Sequence, residues 1–155
     1  MENAWIFQIN ISPGGVPKLP VQQVKLTSLG LEGDEHNDKE VHGGPDKAVC
    51  LYSLERIKAL QAEGHPLFPG ATGENLTLTG LGWEHVTPGT RLRIGPDVLL
   101  EMTQYTEPCY KLTWLFKAED ISRMAQDQHP GWARLYARVL SPGDVRVGDT
   151  VTLES

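Results

Sequence analysis

Thr90-Arg91-Leu92-Arg93-Ile94-Gly95-Pro96-Asp97-Val98-Leu99-Leu100-Glu101-Met102 decides the fold class. Two short runs rich in apolar residues flank a Gly-Pro-Asp turn, the mark of two antiparallel strands in a hairpin. The same punctuation recurs throughout: 16 glycines and 11 prolines are spread evenly over 155 residues. Many short segments divided in this way favour a β-rich barrel or sandwich over a helical bundle.

Working outward, residues 5–11 alternate as a strand, with Trp5, Phe7 and Ile9 on one side and Ile6, Gln8 and Asn10 on the other. A turn at residues 12–15 follows, then a strand at 21–26 with Val24 and Leu26 on one face, and a short buried strand at 48–52. Residues 53–63 are the clearest helix: Ser53 is the N-cap, Leu54, Ile57 and Leu60 recur at helical spacing, and Gly64 closes it. Residues 76–78 form a brief strand, 109–116 and 117–126 are helical in pattern, and 132–140 form a strand carrying Leu135, Ala137 and Val139 on one face. Residues 141–144 turn, and a last strand runs over 150–153. The fold class expected is mainly β with a few helices, in one domain spanning residues 1–155.

That length can bury a core without disulfides or metals. The net charge is −6 with both signs interspersed, which argues against a nucleic-acid surface. The N-terminus has no signal-peptide pattern and no apolar run reaches membrane-spanning length, so the expected setting is the cytoplasm, with reduced thiols and no membrane partner. His36, His42, His65, His85 and His129 form no HxxxH pair, and Cys50 and Cys109 form no CxxC. No P-loop, dinucleotide fingerprint or G-x-S-x-G elbow is present.

The chemistry concentrates in four places. Cys109 follows Pro108 and opens a run apolar at Leu112, Leu115 and Phe116. A thiol in the first turn of a helix, with Lys111 two residues away, is favoured as thiolate, the reactive and metal-ligating form; the alternative is a small buried hydrophobe. His42-Gly43-Gly44-Pro45-Asp46-Lys47 is either an anion nest with a nearby cation or a tight turn before a strand. In Pro69-Gly70-Ala71-Thr72-Gly73-Glu74-Asn75, the carboxylate and amide either orient a ligand or hold loop backbone, and the second reading is favoured for Glu74. Arg134 and Arg138 point the same way on a strand and either fork onto a phosphate or form a solvated edge.

Five segments in this order, Gly30-Leu-Glu-Gly-Asp34, His42-Gly-Gly-Pro-Asp-Lys-Ala48, Pro69-Gly-Ala-Thr-Gly-Glu-Asn-Leu76, Pro108-Cys109-Tyr-Lys-Leu112 and Val147-Gly-Asp149, resemble the MOSC family, named for the C-terminal domain of molybdenum-cofactor sulfurases. The likeness is to short, stand-alone bacterial members, including those linked to detoxifying N-hydroxylated bases. It implies a MOSC-type β-barrel, a molybdenum cofactor (molybdopterin) and Cys109 as catalytic residue and metal ligand. It also implies that His42, Gly43, Gly44, Lys47 and Asn75 hold the cofactor. One departure stands out. Relatives often carry an arginine where this chain has Thr106, and Lys111 or Arg138 is the expected replacement cation. The leading reading is a molybdenum-dependent oxidoreductase that reduces N-hydroxylated small molecules and takes electrons from a partner protein. A sulfur carrier with a persulfide on Cys109, supplied by a desulfurase, is the second reading; a non-catalytic binding module is the third.

Overall fold

The computed structural model describes residues 3–12, 16–34 and 44–154. Among them the strands are β1 (Trp5–Ile11), β2 (Leu19–Val21), β3 (Gln23–Thr27), β4 (Gly30–Leu31), β5 (Val49–Ser53), β6 (Leu76–Thr79), β7 (Arg91–Ile94), β8 (Val98–Thr106), β9 (Arg134–Ser141), β10 (Gly143–Arg146) and β11 (Val151–Glu154). One α-helix, α1 (Leu54–Ala62), and several short 3₁₀ turns complete a mainly β fold. No helix among the described residues is long and apolar enough to cross a membrane.

Eight strands form one sheet in the order β11-β7-β8-β9-β5-β6-β1-β2, and β10-β3-β4 form a second. The expected hairpin is β7–β8, with Ile94 opposite Val98. In the large sheet the only parallel pair among the described strands is β5–β6. Parallel neighbours need a crossover, and α1 supplies it. Ser53 caps α1, its Oγ accepting from Arg56 N at 3.1 Å, and Leu54, Ile57 and Leu60 bury against the sheet.

The two ends of the large sheet approach each other. Ile6 N donates to Asp149 O at 2.9 Å, Val151 N to Ala4 O at 2.9 Å, and Gly148 N to Ile6 O at 2.8 Å. Trp5 and Thr150 form a single bridge. The sheet is therefore curled, and an isolated bridge rather than a full strand pair links β1 to the start of β11.

Several local expectations are corrected. Residues 5–11 do form a strand, but the register shifts between Ile6 and Gln8. That bulge turns Ile6 and Ile9 into the core together and leaves Trp5 and Phe7 outside. The expected 21–26 strand is two, β2 and β3, broken at Gln22, whose carbonyl accepts from Val147 N. The expected turn at 141–144 is a corner at Pro142, after which β10 pairs with β3 in the second sheet. The helices expected at 109–116 and 117–126 are 3₁₀ turns, Tyr110–Leu115, Lys117–Glu119 and Ile121–Met124. Leu112 and Leu115 are both buried and three residues apart, the spacing that stacks in line on a 3₁₀ turn.

Candidate functional site

β8 leaves the sheet after Thr106, and residues 107–109 run extended to Cys109, which is the N-cap of the Tyr110–Leu115 turn. Leu112 N donates to Cys109 O at 2.9 Å, closing the first turn. Leu112, Leu115 and Phe116 anchor the turn in the core, and the side chains of Tyr110 and Lys111 stay in solvent. The Cys109 thiol is free and half-buried. The sequence places it at the head of a helix correctly, although a six-residue 3₁₀ turn aligns fewer peptide dipoles than an α-helix would.

Tyr136 of β9 links Cys109 to the second motif. Burial, first, and then the nearby charges of Cys50 and Cys109 push the Tyr136 hydroxyl well above the usual phenol range, against the pull of Arg134. It is therefore a neutral phenol at physiological pH. Lys47 Nζ lies 5.5 Å from the Tyr136 ring centroid, in cation–π range. Lys47 ends the Pro45–Lys47 turn, whose first residue follows Gly44 at φ 94°. A side chain at position 44 would meet nothing within 4 Å, so backbone conformation, not crowding, requires glycine there. Lys47 and Tyr136 are thus brought together, and the charge of Cys109 acts on the same phenol.

Behind it lies a buried polar brace. Asn75 is fully buried; its Oδ1 accepts from Cys50 N at 2.9 Å, and its Nδ2 donates to Asp34 Oδ2 at 2.9 Å and to Asn10 O at 3.3 Å. Asp34 also accepts from Ser12 N at 2.9 Å and from buried Lys18 at 2.5 Å. Glu74 accepts from Gly70 N, Thr72 Oγ1 and Thr77 Oγ1 at 2.9, 2.6 and 2.9 Å. Desolvation raises its carboxyl above the usual range, and these three donors pull the other way. Gly70 stands at φ 90°, where a Cβ would lie 2.6 Å from the Lys18 carbonyl, so glycine lets the two segments touch. The favoured structural reading of Glu74 is what the geometry shows.

The other expected residues fall as follows. His42 and Gly43 lie outside the described residues. Asn75 is fully buried and its amide is engaged with Cys50, Asp34 and Asn10. Arg138 donates from Nε to Asp46 Oδ1 at 3.1 Å and from Nη1 to Glu101 Oε1 at 2.8 Å, so its fork is engaged at the outer face of the sheet. Lys111 is exposed. Neither stands opposite Thr106; the residue that does is Arg134, which is buried. A guanidinium is therefore present at this end of β8, delivered from the neighbouring strand. Tyr136 and Lys18 stand in no recognisable sequence motif. A Gly-Asp motif did mark Asp34, but nothing near Lys18 in sequence signals its buried partner.

Among the described residues no group of three or more His, Cys, Asp or Glu is placed to hold a metal ion. A single soft thiolate suffices as protein donor only for a metal that brings its remaining ligands with it. A pterin-bound molybdenum is such a metal, and the single half-buried thiol of Cys109 is compatible with it in donor chemistry.

A family model described as MOSC domain matches residues 38–152. Protein YiiM of Escherichia coli (strain K12) is 37% identical over 149 residues, covering 92% of this chain and 65% of YiiM. A protein of Gibberella moniliformis (strain M3125 / FGSC 7600) named Reductase is 36% identical over 135 residues, covering 84% of this chain and 23% of that protein. The crystal structure of YiiM from Escherichia coli superposes with a TM-score of 0.71 at 29% identity, over 100% of this chain and 70% of that one. This chain thus spans just under two thirds of the curated YiiM sequence it matches.

Proposed function

The chain belongs to the MOSC domain family, and on that premise we propose that it binds molybdenum cofactor through Cys109 and reduces N-hydroxylated small molecules. One observation carries the reading: a free, half-buried thiol stands at the head of the turn that follows β8. MOSC domains are associated with molybdenum cofactor in general, and a relative named Reductase supports redox chemistry. We read the curled sheet as the family's barrel, with the site at the end of β8 and β9.

In this reading Cys109 is the ligand and Lys47 with the Gly44 backbone holds the anionic phosphate of the pterin. Tyr136, as a neutral phenol, would keep its proton beside the group. Asn75 and Glu74 fix the loops that carry these groups. The cofactor, when bound, supplies a two-electron centre able to remove oxygen from an N–OH group; the protein supplies binding, orientation and electrostatics. No described residue motif provides a flavin, haem or iron–sulfur site, so an electron-donor protein is part of the proposal, as is a cytoplasmic setting.

The test is metal and pterin content. Wild type and Cys109→Ala are produced in a host that makes molybdenum cofactor and assayed for molybdenum and fluorescent pterin. Both in the wild type and neither in the variant are expected. If neither protein carries them, the reading fails, and cyanide-labile sulfur on Cys109 would point instead to a sulfur carrier.

A further inference from the structure

Arg134 opens β9 and is 6% exposed. Its Nη1 donates to the Thr72 carbonyl at 2.5 Å and its Nη2 to the Glu107 carbonyl at 3.1 Å. Nε is buried and has no acceptor. A guanidinium is charged at every physiological pH, and when buried it ordinarily forks onto a carboxylate. Here each acceptor is a neutral backbone oxygen, and the two belong to different loops: one carries Glu74, the other Cys109. The Glu74 carboxyl is reached through Thr72, whose hydroxyl donates to Glu74 Oε1 at 2.6 Å. Among the described residues the positive charge therefore has no contacting counterion, and it acts on Cys50, Tyr52 and Tyr136. Lysine donates from one nitrogen and lacks the planar fork that reaches two separate carbonyls from two nitrogens.

We infer that Arg134 is a positioning residue for Cys109: its guanidinium fastens residues 107–109 to the Thr72 loop and leaves the thiol in an electropositive setting that admits anionic groups. The inference rests on the reading of Cys109 as the working residue and is independent of whether a cofactor binds.

The experiment is alkylation of Cys109 in the full chain, produced in a host that makes no molybdenum cofactor. Mass spectrometry of the Cys109 peptide separates it from Cys50. Iodoacetamide is the neutral probe and iodoacetate the anionic one. Arg134→Met should lower the iodoacetate-to-iodoacetamide rate ratio by about fivefold, the size of effect that one nearby unit charge has in a partly solvated site. Arg134→Lys should keep the ratio within about twofold yet speed amide exchange at residues 107–112 by about fivefold, through the lost second hydrogen bond. A folded Arg134→Met with an unchanged ratio overturns the inference. If that variant does not fold, Arg134→Lys decides: faster exchange at 107–112 with α1 unaffected supports the clamp, and unchanged exchange overturns it.

Discussion

Cys50 and Cys109 share a neighbourhood, since the charge of either would act on Tyr136, but they sit in different kinds of structure. Cys50 is in the middle of the sheet, on a strand buried along its whole length, and its backbone N–H is held by Asn75. Burial pushes its thiol up, away from the reactive form. Cys109 is on a connection that has left the sheet, half-buried, with Lys111 and Tyr110 in solvent beside it. The lesson is a division of labour. The interior holds the loops through buried hydrogen bonds, and the proposed chemistry sits on the segment that interior positions.

That contrast can be broken at the brace. Glu74→Ala strips three donors of their acceptor and should cost on the order of 3 kcal/mol in a urea unfolding experiment. A loss below about 1 kcal/mol would mean that the brace is not what holds the loops.

A gentler change sharpens it. Burial raises the Glu74 carboxyl, so the folded protein keeps a proton that the unfolded chain has already released. Stability from this group is full below about pH 4.3 and is lost as pH rises through the raised folded value. Glu74→Gln removes that loss. The difference in urea midpoint between the variant and the wild type should therefore shift in the variant's favour from pH 4 toward pH 7 (on the order of a few tenths of a kcal/mol or more per pH unit while the group titrates). A difference that is flat with pH would show that Glu74 is no more reluctant to ionise than an ordinary glutamate.

The smallest effect belongs to the site itself. Cys109→Ser should leave stability within about 0.5 kcal/mol, because the side chain is half-buried and the exchange removes little volume. A larger loss in thermal unfolding would make Cys109 part of the core and remove the contrast.

Local pattern carried most of the elements. Ser53, Leu54, Ile57 and Leu60 announced α1, and Gly95-Pro96-Asp97 announced the β7–β8 hairpin, because caps and turns are decided by a few adjacent residues. The 3₁₀ form of Tyr110–Leu115 was less legible, since a spacing of three suits both helix types over so short a run. Strand β10 was hidden by a Pro-Gly-Asp that reads as a turn; its partner, β3, lies about 120 residues earlier.

By itself, the sequence determined that this is a β-rich chain with one good helix, and it singled out Cys109, Lys47 and the Gly70–Asn75 region as the candidates for its chemistry. The tertiary structure alone decided which of the polar residues work as scaffold. It turned Asn75 inward onto Cys50 and Asp34, engaged Arg138 with Asp46 and Glu101, and set Arg134 between two loops. The physical reason is that a polar side chain's role depends on which donors and acceptors meet it after burial. Those partners, Thr72 for Arg134 or Asp34 for Asn75, lie 62 and 41 residues away along the chain.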